Sequence, residues 1–240
     1  MKTWKFVVAS TLFTLIVGGI YLFVVFKHRE NPGAIGQKQP EQAMNKDDLV
    51  VLREIFPAHY EDLAKMEGTT VWMRNGYIMP YYRYVGGSVV FAKQVGVIPA
   101  AQKMEVKKII KTAVPAKLDD TIAHGSKQAF VVFQLPGEKD QYATPVGAMQ
   151  GDQEMYFADQ LYYYDDPHKI YDHWPKDVWA AIDAHQVKPG MSELETQMAV
   201  GSKMDPDGKT VGDRTVTYDQ DGKQWTVTFV KNKATTIAVK

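Results

Sequence analysis

The sequence predicts an α+β protein with three parts: an N-terminal transmembrane helix, a central β-rich domain closed as a small barrel, and a C-terminal module of two helices and a three-stranded antiparallel sheet. Three observations carry that prediction. Residues 6–26 are apolar and uncharged. Between residues 69 and 164, short runs rich in β-branched and aromatic residues alternate with glycine- and asparagine-containing breaks. Beyond residue 167, two stretches of helical periodicity precede three alternating runs. The domains expected are 1–26 (anchor), 27–46 (tether), 47–166 (short helices and the β-rich domain) and 167–240 (α/β sandwich module).

The run FVVASTLFTLIVGGIYLFVVF holds about 21 residues, which at ~1.5 Å each span roughly 30 Å, the thickness of a bilayer's hydrocarbon core. Trp4 and Tyr21 stand near its ends, and Lys2, Lys5, Lys27 and Arg29 flank it. A cleaved signal peptide would have a shorter apolar region ending in small residues, whereas this run closes on Val24-Val25-Phe26-Lys27. With no cysteine in the chain, a lipoprotein signal is excluded. The expectation is an uncleaved signal anchor in a single-pass membrane protein. The flanking charges lean slightly toward an internal N-terminus, which would make the C-terminal domain extracytoplasmic and periplasmic.

Residues 27–46 are polar, carry Pro32, Gly33, Gly36 and Pro40, and show no period, so they read as a flexible tether. Asp47-Asp48 suit a helix N-cap before LVVLREIF, where Leu49, Leu52 and Phe56 recur at helical spacing. Pro57 opens a second short helix that Gly68 would close. The strand runs that follow are TTVWM, IMPYYRYV, SVVFAKQV, MEVKKIIKTAV, AFVVFQL, QYATPVGAM and EMYFAD, broken at Asn75-Gly76, Gly86-Gly87, Pro136-Gly137 and Gly151-Asp152. After Pro167, PHKIYDHW reads as a turn or short helix, and PKDVWAAIDAHQ as a helix with Val178, Trp179 and Ile182 on one face. Ser192 and Glu195 form a capping box for ELETQMAV, which Gly201 stops. RTVTYD, KQWTVTFV and KATTIAVK complete a meander with Asp221-Gly222 and Asn232-Lys233 in its turns.

Composition excludes several function classes. Among 240 residues, 28 basic and 28 acidic side chains balance, so no basic excess points to nucleic acid. The absence of cysteine removes disulfides, a thiol nucleophile and thiolate metal sites. No nucleophile elbow, P-loop, dinucleotide-binding glycine motif or HExxH occurs. The expectation is a protein without enzymatic activity and without a cofactor.

Two aromatic clusters are candidate binding residues. In Tyr81-Tyr82-Arg83-Tyr84, Tyr82 and Tyr84 share one strand face and Tyr81 takes the other. These residues, with Tyr162, Tyr163 and Tyr164, suit either a groove for extended peptides or packing of the sheet. Trp174 and Trp179 suit either packing of a helix onto the meander or anchoring of a partner. Asp165, Asp166, His168, Asp172 and His173 form the densest polar cluster. It reads as a helix start capped by Asp166 and opened by Pro167, with a metal site as the weaker alternative. His59, His124 and His185 are isolated and read as surface or packing residues.

The strands near residues 69–112 loosely resemble an SH3-like barrel in their spacing and aromatic content. The last segment carries Gly190-Met191-Ser192, a helix ending in Gly201, Tyr218 in one strand, and Trp225, Val227 and Phe229 in the next. This order resembles the SmpA/OmlA family, small outer-membrane lipoproteins of the barrel-assembly machinery that share their fold with β-lactamase-inhibitor proteins. The resemblance covers roughly residues 167–240 and implies a non-catalytic α/β sandwich that binds other proteins. The chain departs from that family in lacking the lipid-bearing cysteine and in carrying a large β segment beforehand. As a whole, with DDPHKIYDHWPKDVW and AIDAHQVKPGMSE, it is similar to bacterial envelope proteins. The function expected is that of a membrane-anchored envelope protein that binds protein or peptide partners as a scaffold or assembly accessory. Binding of cell-wall peptidoglycan through a Tyr82/Tyr84 groove is the alternative, and a metal-dependent enzyme at His168/His173 is a weaker one.

Overall fold

The computed structural model describes residues 18–19, 21–22, 45–116, 118, 127–150, 153–206 and 210–240. The chain divides into two compact units, residues 1–49 and 50–240. In the first, Gly18, Gly19, Tyr21 and Leu22 are helical and Lys46–Leu49 forms a 3-10 turn. No helix among the described residues is long and apolar enough to cross a membrane. That finding corrects the expected transmembrane helix, the signal anchor and the single-pass localisation, since a bilayer requires roughly 20 consecutive apolar helical residues. The rest of the run 6–26, and the tether up to residue 44, lie outside the described residues.

The second unit begins with a segment where helical periodicity loses to tertiary contacts. The helix expected over LVVLREIF does not form, and residues 50–58 have no regular secondary structure. The backbone N–H groups of Ile55 and Phe56 donate to the Asp159 carboxylate at 3.0 and 2.8 Å. Arg53 donates to the Tyr164 carbonyl, and Val50 and Leu52 pack against the C-terminal core. A helix would satisfy those amides locally but would lift the apolar side chains away from the protein. Helix α1 (Tyr60–Ala64) follows, with Asp62 accepting from the Ala58 and His59 backbone N–H groups at its start.

Eight strands build one antiparallel sheet: β1 (Thr70–Met73), β2 (Pro80–Val85), β3 (Ser88–Val97), β4 (Lys103–Ala113), β5 (Lys127–Gln134), β6 (Gln141–Gln150), β7 (Gln153–Tyr156) and β8 (Tyr162–Tyr163). Their order is β3-β2-β6-β5-β4-β1-β8, with β7 paired to the far end of β6. The closed small barrel expected for this region is therefore corrected to an open sheet. One edge of β6 is shared, pairing with β2 at residues 141–143 and with β7 at residues 147–150, so the strands branch instead of closing. Between β7 and β8 lies the short helix α2 (Ala158–Leu161). One sheet face packs Val71, Met73, Met104, Val106, Val131 and Phe133 with Leu63 and Met66. The opposite face packs Tyr82, Phe130, Val132 and Ala143, over which the β3 residue Phe91 folds.

The C-terminal part holds helices α3 (Pro167–Ile170), α4 (Lys176–Asp183) and α5 (Glu193–Val200), then strands β9 (Lys203–Pro206), β10 (Thr215–Gln220), β11 (Lys223–Val230) and β12 (Lys233–Val239). The expected three-stranded sheet is corrected to four strands in the order β12-β11-β10-β9. The added strand β9 pairs with β10 through Thr217↔Asp205 and Val216↔Pro206. Asp221-Gly222 forms one turn with positive φ at both residues, and the other falls at Lys231-Asn232, one residue earlier than expected. Trp174, Trp179, Ile182, Val200, Tyr218, Trp225, Val227 and Phe229 fill the core between helices and sheet.

The loop after β1 locks this part against the large sheet. A Cβ on Gly76 would lie 2.1 Å from the Ala100 nitrogen. Gly201, at φ +94°, would put its Cβ 2.7 Å from the Tyr77 ring and 2.8 Å from the Gly76 carbonyl oxygen. Gly201 both ends α5 in a conformation that L residues avoid and lets the loop approach. Gly201→Ala is expected to destabilise the protein by about 2–4 kcal/mol, combining overpacking with backbone strain, as read from the urea midpoint. An unchanged midpoint would show that the loop is free to withdraw.

Candidate functional site

A cleft of about 420 Å³ opens where the β1 loop, α2, β8, α3 and α5 meet. Arg74, Asn75 and Gln160 supply polar walls on the large-sheet side, and Tyr163 supplies the floor. Tyr171, Leu194, Gln197 and Met198 complete it from the C-terminal part. Leu194, Gln197 and Met198 stand at i, i+3 and i+4, which places them on one face of α5.

Each wall is held by bonds that the sequence pattern does not announce. The Arg74 backbone N–H donates to the Leu161 carbonyl at 2.7 Å, and its guanidinium donates to the Asp159 carbonyl at 3.0 Å. The same guanidinium lies 5.7 Å over the Tyr163 ring. Asn75 donates to the Gln160 carbonyl at 2.9 Å and accepts from the Gln197 amide at 3.5 Å, which ties α5 to the loop. Burial first, and then the neighbouring Tyr171, push the Tyr163 phenol well above the usual tyrosine range, while Arg74 pulls it down. Tyr163 is therefore a neutral hydrogen-bonding group.

Glu193 fixes the first turn of α5. Its carboxylate is 2 % exposed and accepts from Lys203, from Arg214 and, at 3.0 Å, from the Gly212 N–H. Burial alone would raise its pKa, but these donors outweigh that effect and hold it at about 2. Ser192 and Glu195 form the capping box in front of it.

Most of the aromatic residues that the sequence singled out are interior. Tyr82, Tyr162, Tyr163 and Tyr164 are buried, and Tyr82 meets Phe91 at 5.4 Å, which is the packing alternative for these residues. Tyr84 packs on the same face, and Arg83 is exposed and paired to Asp140 at 2.6 Å. Tyr81 lines a small cavity of about 100 Å³ with Ile98, Pro99, Gln102, Phe133 and Leu135. Trp174 and Trp179 are buried and join an aromatic ladder: His168 stacks on Trp179 at 4.0 Å, Trp179 meets Trp174 at 5.2 Å, Trp174 stacks on Tyr171 at 4.4 Å, and Tyr171 meets Tyr163 edge-on at 6.3 Å. The ladder delivers Tyr171 and Tyr163 to the cleft.

Both His168 ring nitrogens face carboxylates, Asp166 at 3.1 Å and Asp183 at 3.2 Å. Asp165 pairs with Arg53 at 3.5 Å, Asp172 is exposed, and His173 sits beside Tyr171 and Trp174. Among the described residues, no group of three or more His, Asp or Glu side chains could hold a metal ion. His59 is exposed at the start of α1, His185 packs edge-on against Tyr77, and His124 lies outside the described residues. Of the cleft's lining, the sequence singled out Tyr163 alone. Asn75 stood out only as a turn residue, and Arg74, Gln160, Tyr171, Leu194, Gln197 and Met198 come from elements that only the tertiary fold unites.

No protein-family model, curated protein or solved structure matches the chain.

Glu193 ionisation stabilises the fold above its unfolded pKa, near 4.5, and the contribution is lost as pH falls toward about 2. Urea denaturation between pH 7 and pH 2 should show that loss. Glu193→Gln should flatten this part of the profile and cost about 3 kcal/mol at pH 7. An equal slope in the variant would assign the acid sensitivity elsewhere.

Proposed function

We propose that this protein is a non-catalytic binding protein whose partner is a peptide segment held in the Arg74–Gln197 cleft. The observation that carries the reading is the cleft's chemistry. Three side-chain amides, Asn75, Gln160 and Gln197, ring a floor of Tyr163, Tyr171, Leu194 and Met198. Side-chain amides match the donors and acceptors of a peptide backbone, and an aromatic and aliphatic floor takes apolar side chains. The lining includes no carboxylate or imidazole to serve as a general base. The resemblance of residues 167–240 to a family of binding modules supports the same reading, since Gly190-Met191-Ser192 leads into capped α5 and Tyr218, Trp225, Val227 and Phe229 form the meander's core.

Gln197 is half-buried, points across the cleft to Asn75, and is the side chain whose enlargement blocks the space with least damage to the core. The full chain is expected to bind a fluorescein-labelled random pentapeptide mixture saturably, as read by anisotropy. Gln197→Trp should weaken that binding about tenfold or more while leaving the unfolding free energy from urea denaturation within about 1 kcal/mol of wild type. Saturable binding that Gln197→Trp leaves intact would move the site elsewhere, and no saturable binding would overturn the reading.

A further inference from the structure

Arg74 is a half-buried cation at the cleft wall with no carboxylate partner among the described residues. The nearest acid on α2, Asp159, is already committed: one carboxylate oxygen accepts from the Ile55 N–H and the Tyr164 hydroxyl, and the other accepts from the Phe56 N–H. Only the Asp159 main-chain carbonyl reaches Arg74. On the opposite wall, Glu193 is enclosed by Lys203 and Arg214. The carboxylates of Asp159 and Glu193 are therefore committed to other groups, and Arg74 is the one charged side chain in the cleft's lining.

A guanidinium has five N–H donors in a planar fork, and the Asp159 carbonyl and Tyr163 use only part of it. The carbonyl and the Tyr163 ring fix the fork's orientation, so little side-chain freedom is lost when an anion arrives. A carboxylate matches that fork in two parallel hydrogen bonds. Beside it stand the Asn75, Gln160 and Gln197 amides, suited to the peptide group that precedes a terminal carboxylate, and Leu194 and Met198, suited to an apolar last side chain. A cleft of about 420 Å³ has room for a chain end and a few residues.

We propose that the cleft recognises the free C-terminal carboxylate of a peptide with an apolar last residue, with Arg74 as the carboxylate-binding group. This deepens the peptide-binding reading and rests on it. A carboxylate could also come from an acidic side chain, and the test separates the two sources.

The test uses the full chain labelled with ¹³C at methionine methyls, with the Met198 resonance as reporter. Three probes are random pentapeptide mixtures: one lacking Asp and Glu with a free C-terminus, the same mixture as C-terminal amides, and an amide-capped mixture with one internal Glu. The free-acid mixture is expected to shift Met198 with an apparent affinity about tenfold or more above both amide mixtures, the ratio expected for a charge-assisted hydrogen-bonded pair. Arg74→Gln should abolish that preference, and Arg74→Lys should keep part of it. Equal responses to free-acid and amide mixtures would overturn carboxylate recognition and leave peptide binding standing. A response to the Glu mixture equal to that of the free acids would overturn the terminal assignment in favour of an acidic side chain. No Met198 response to any mixture would overturn both readings. The wild-type comparison decides among these outcomes even if Arg74 variants fold poorly.

Discussion

A β-strand sends successive side chains to opposite faces, and at the β1–β8 pair both faces are buried. Met73 pairs with Tyr162 and Trp72 with Tyr163. Met73 and Tyr162 enter the core of the large sheet, whereas Tyr163 enters the C-terminal core and Trp72 packs against it. Tyr164 returns to the first core. Three consecutive tyrosines thus alternate between two cores, and a one-residue slip in this register would exchange the partners of both. The joint tolerates a cost to keep that register: the Tyr162 hydroxyl is buried with no hydrogen-bond partner among the described residues. Such a group costs about 1–3 kcal/mol, offset by ring burial, which at ~25 cal/mol per Å² over roughly 150–250 Å² contributes about 4–6 kcal/mol.

The cleft follows from that joint. The chain leaving β1 turns sharply at Asn75-Gly76, and Gly76 and Gly201 let it press against Ala100 on one side and the end of α5 on the other. Tyr77, beyond the turn, accepts from the Gln220 side-chain amide, whose Oε1 accepts from the Trp225 indole at 2.7 Å, so the loop is bonded into the second sheet. Beside this seam α5 is tied through Glu193 to Lys203 of β9 and to Arg214, which directly precedes β10. The walls are therefore rigid elements whose spacing is set by two glycine contacts and one buried carboxylate, the kind of support that keeps a recognition site preorganised.

Local chemistry made much of the second unit legible. The runs over residues 69–156 form strands because β-branched and aromatic residues suit a pleated surface with at least one packed face, and in β5 with both faces packed. Ser192, Glu195 and Gly201 bound α5 as a capping box and a positive-φ stop, since orphan amides and carbonyls demand such residues at helix ends. What was not legible depended on distant partners. Residues 50–58 carry a helical pattern, yet Asp159, about a hundred residues away in sequence, takes the amides that a helix would have used. Strand β9 holds a proline and no alternating pattern, and it is tied to the fold by the bond from Lys203 to Glu193. The closed barrel failed because strand spacing fixes which segments are strands but not which edges they share. Hydropathy marked residues 6–26 as a membrane span, whereas no helix among the described residues has that length and apolar character.

The aromatic residues drew attention as a binding surface because exposed tyrosine and tryptophan are common at interfaces. Here they are largely spent on the interior. Tyr163, Tyr171, Trp174 and Trp179 touch ring to ring from the cleft to His168, whose imidazole sits between two carboxylates. The ladder fixes the two phenol groups at the cleft without needing solvent exposure of its own. What remains for direct contact is a different chemistry, one guanidinium and three amides, contributed by residues with no periodicity and no motif. The placement of these groups depends on how the two sheets meet, and the β1–β8 register that sets this meeting therefore shapes the cleft as much as any residue lining it.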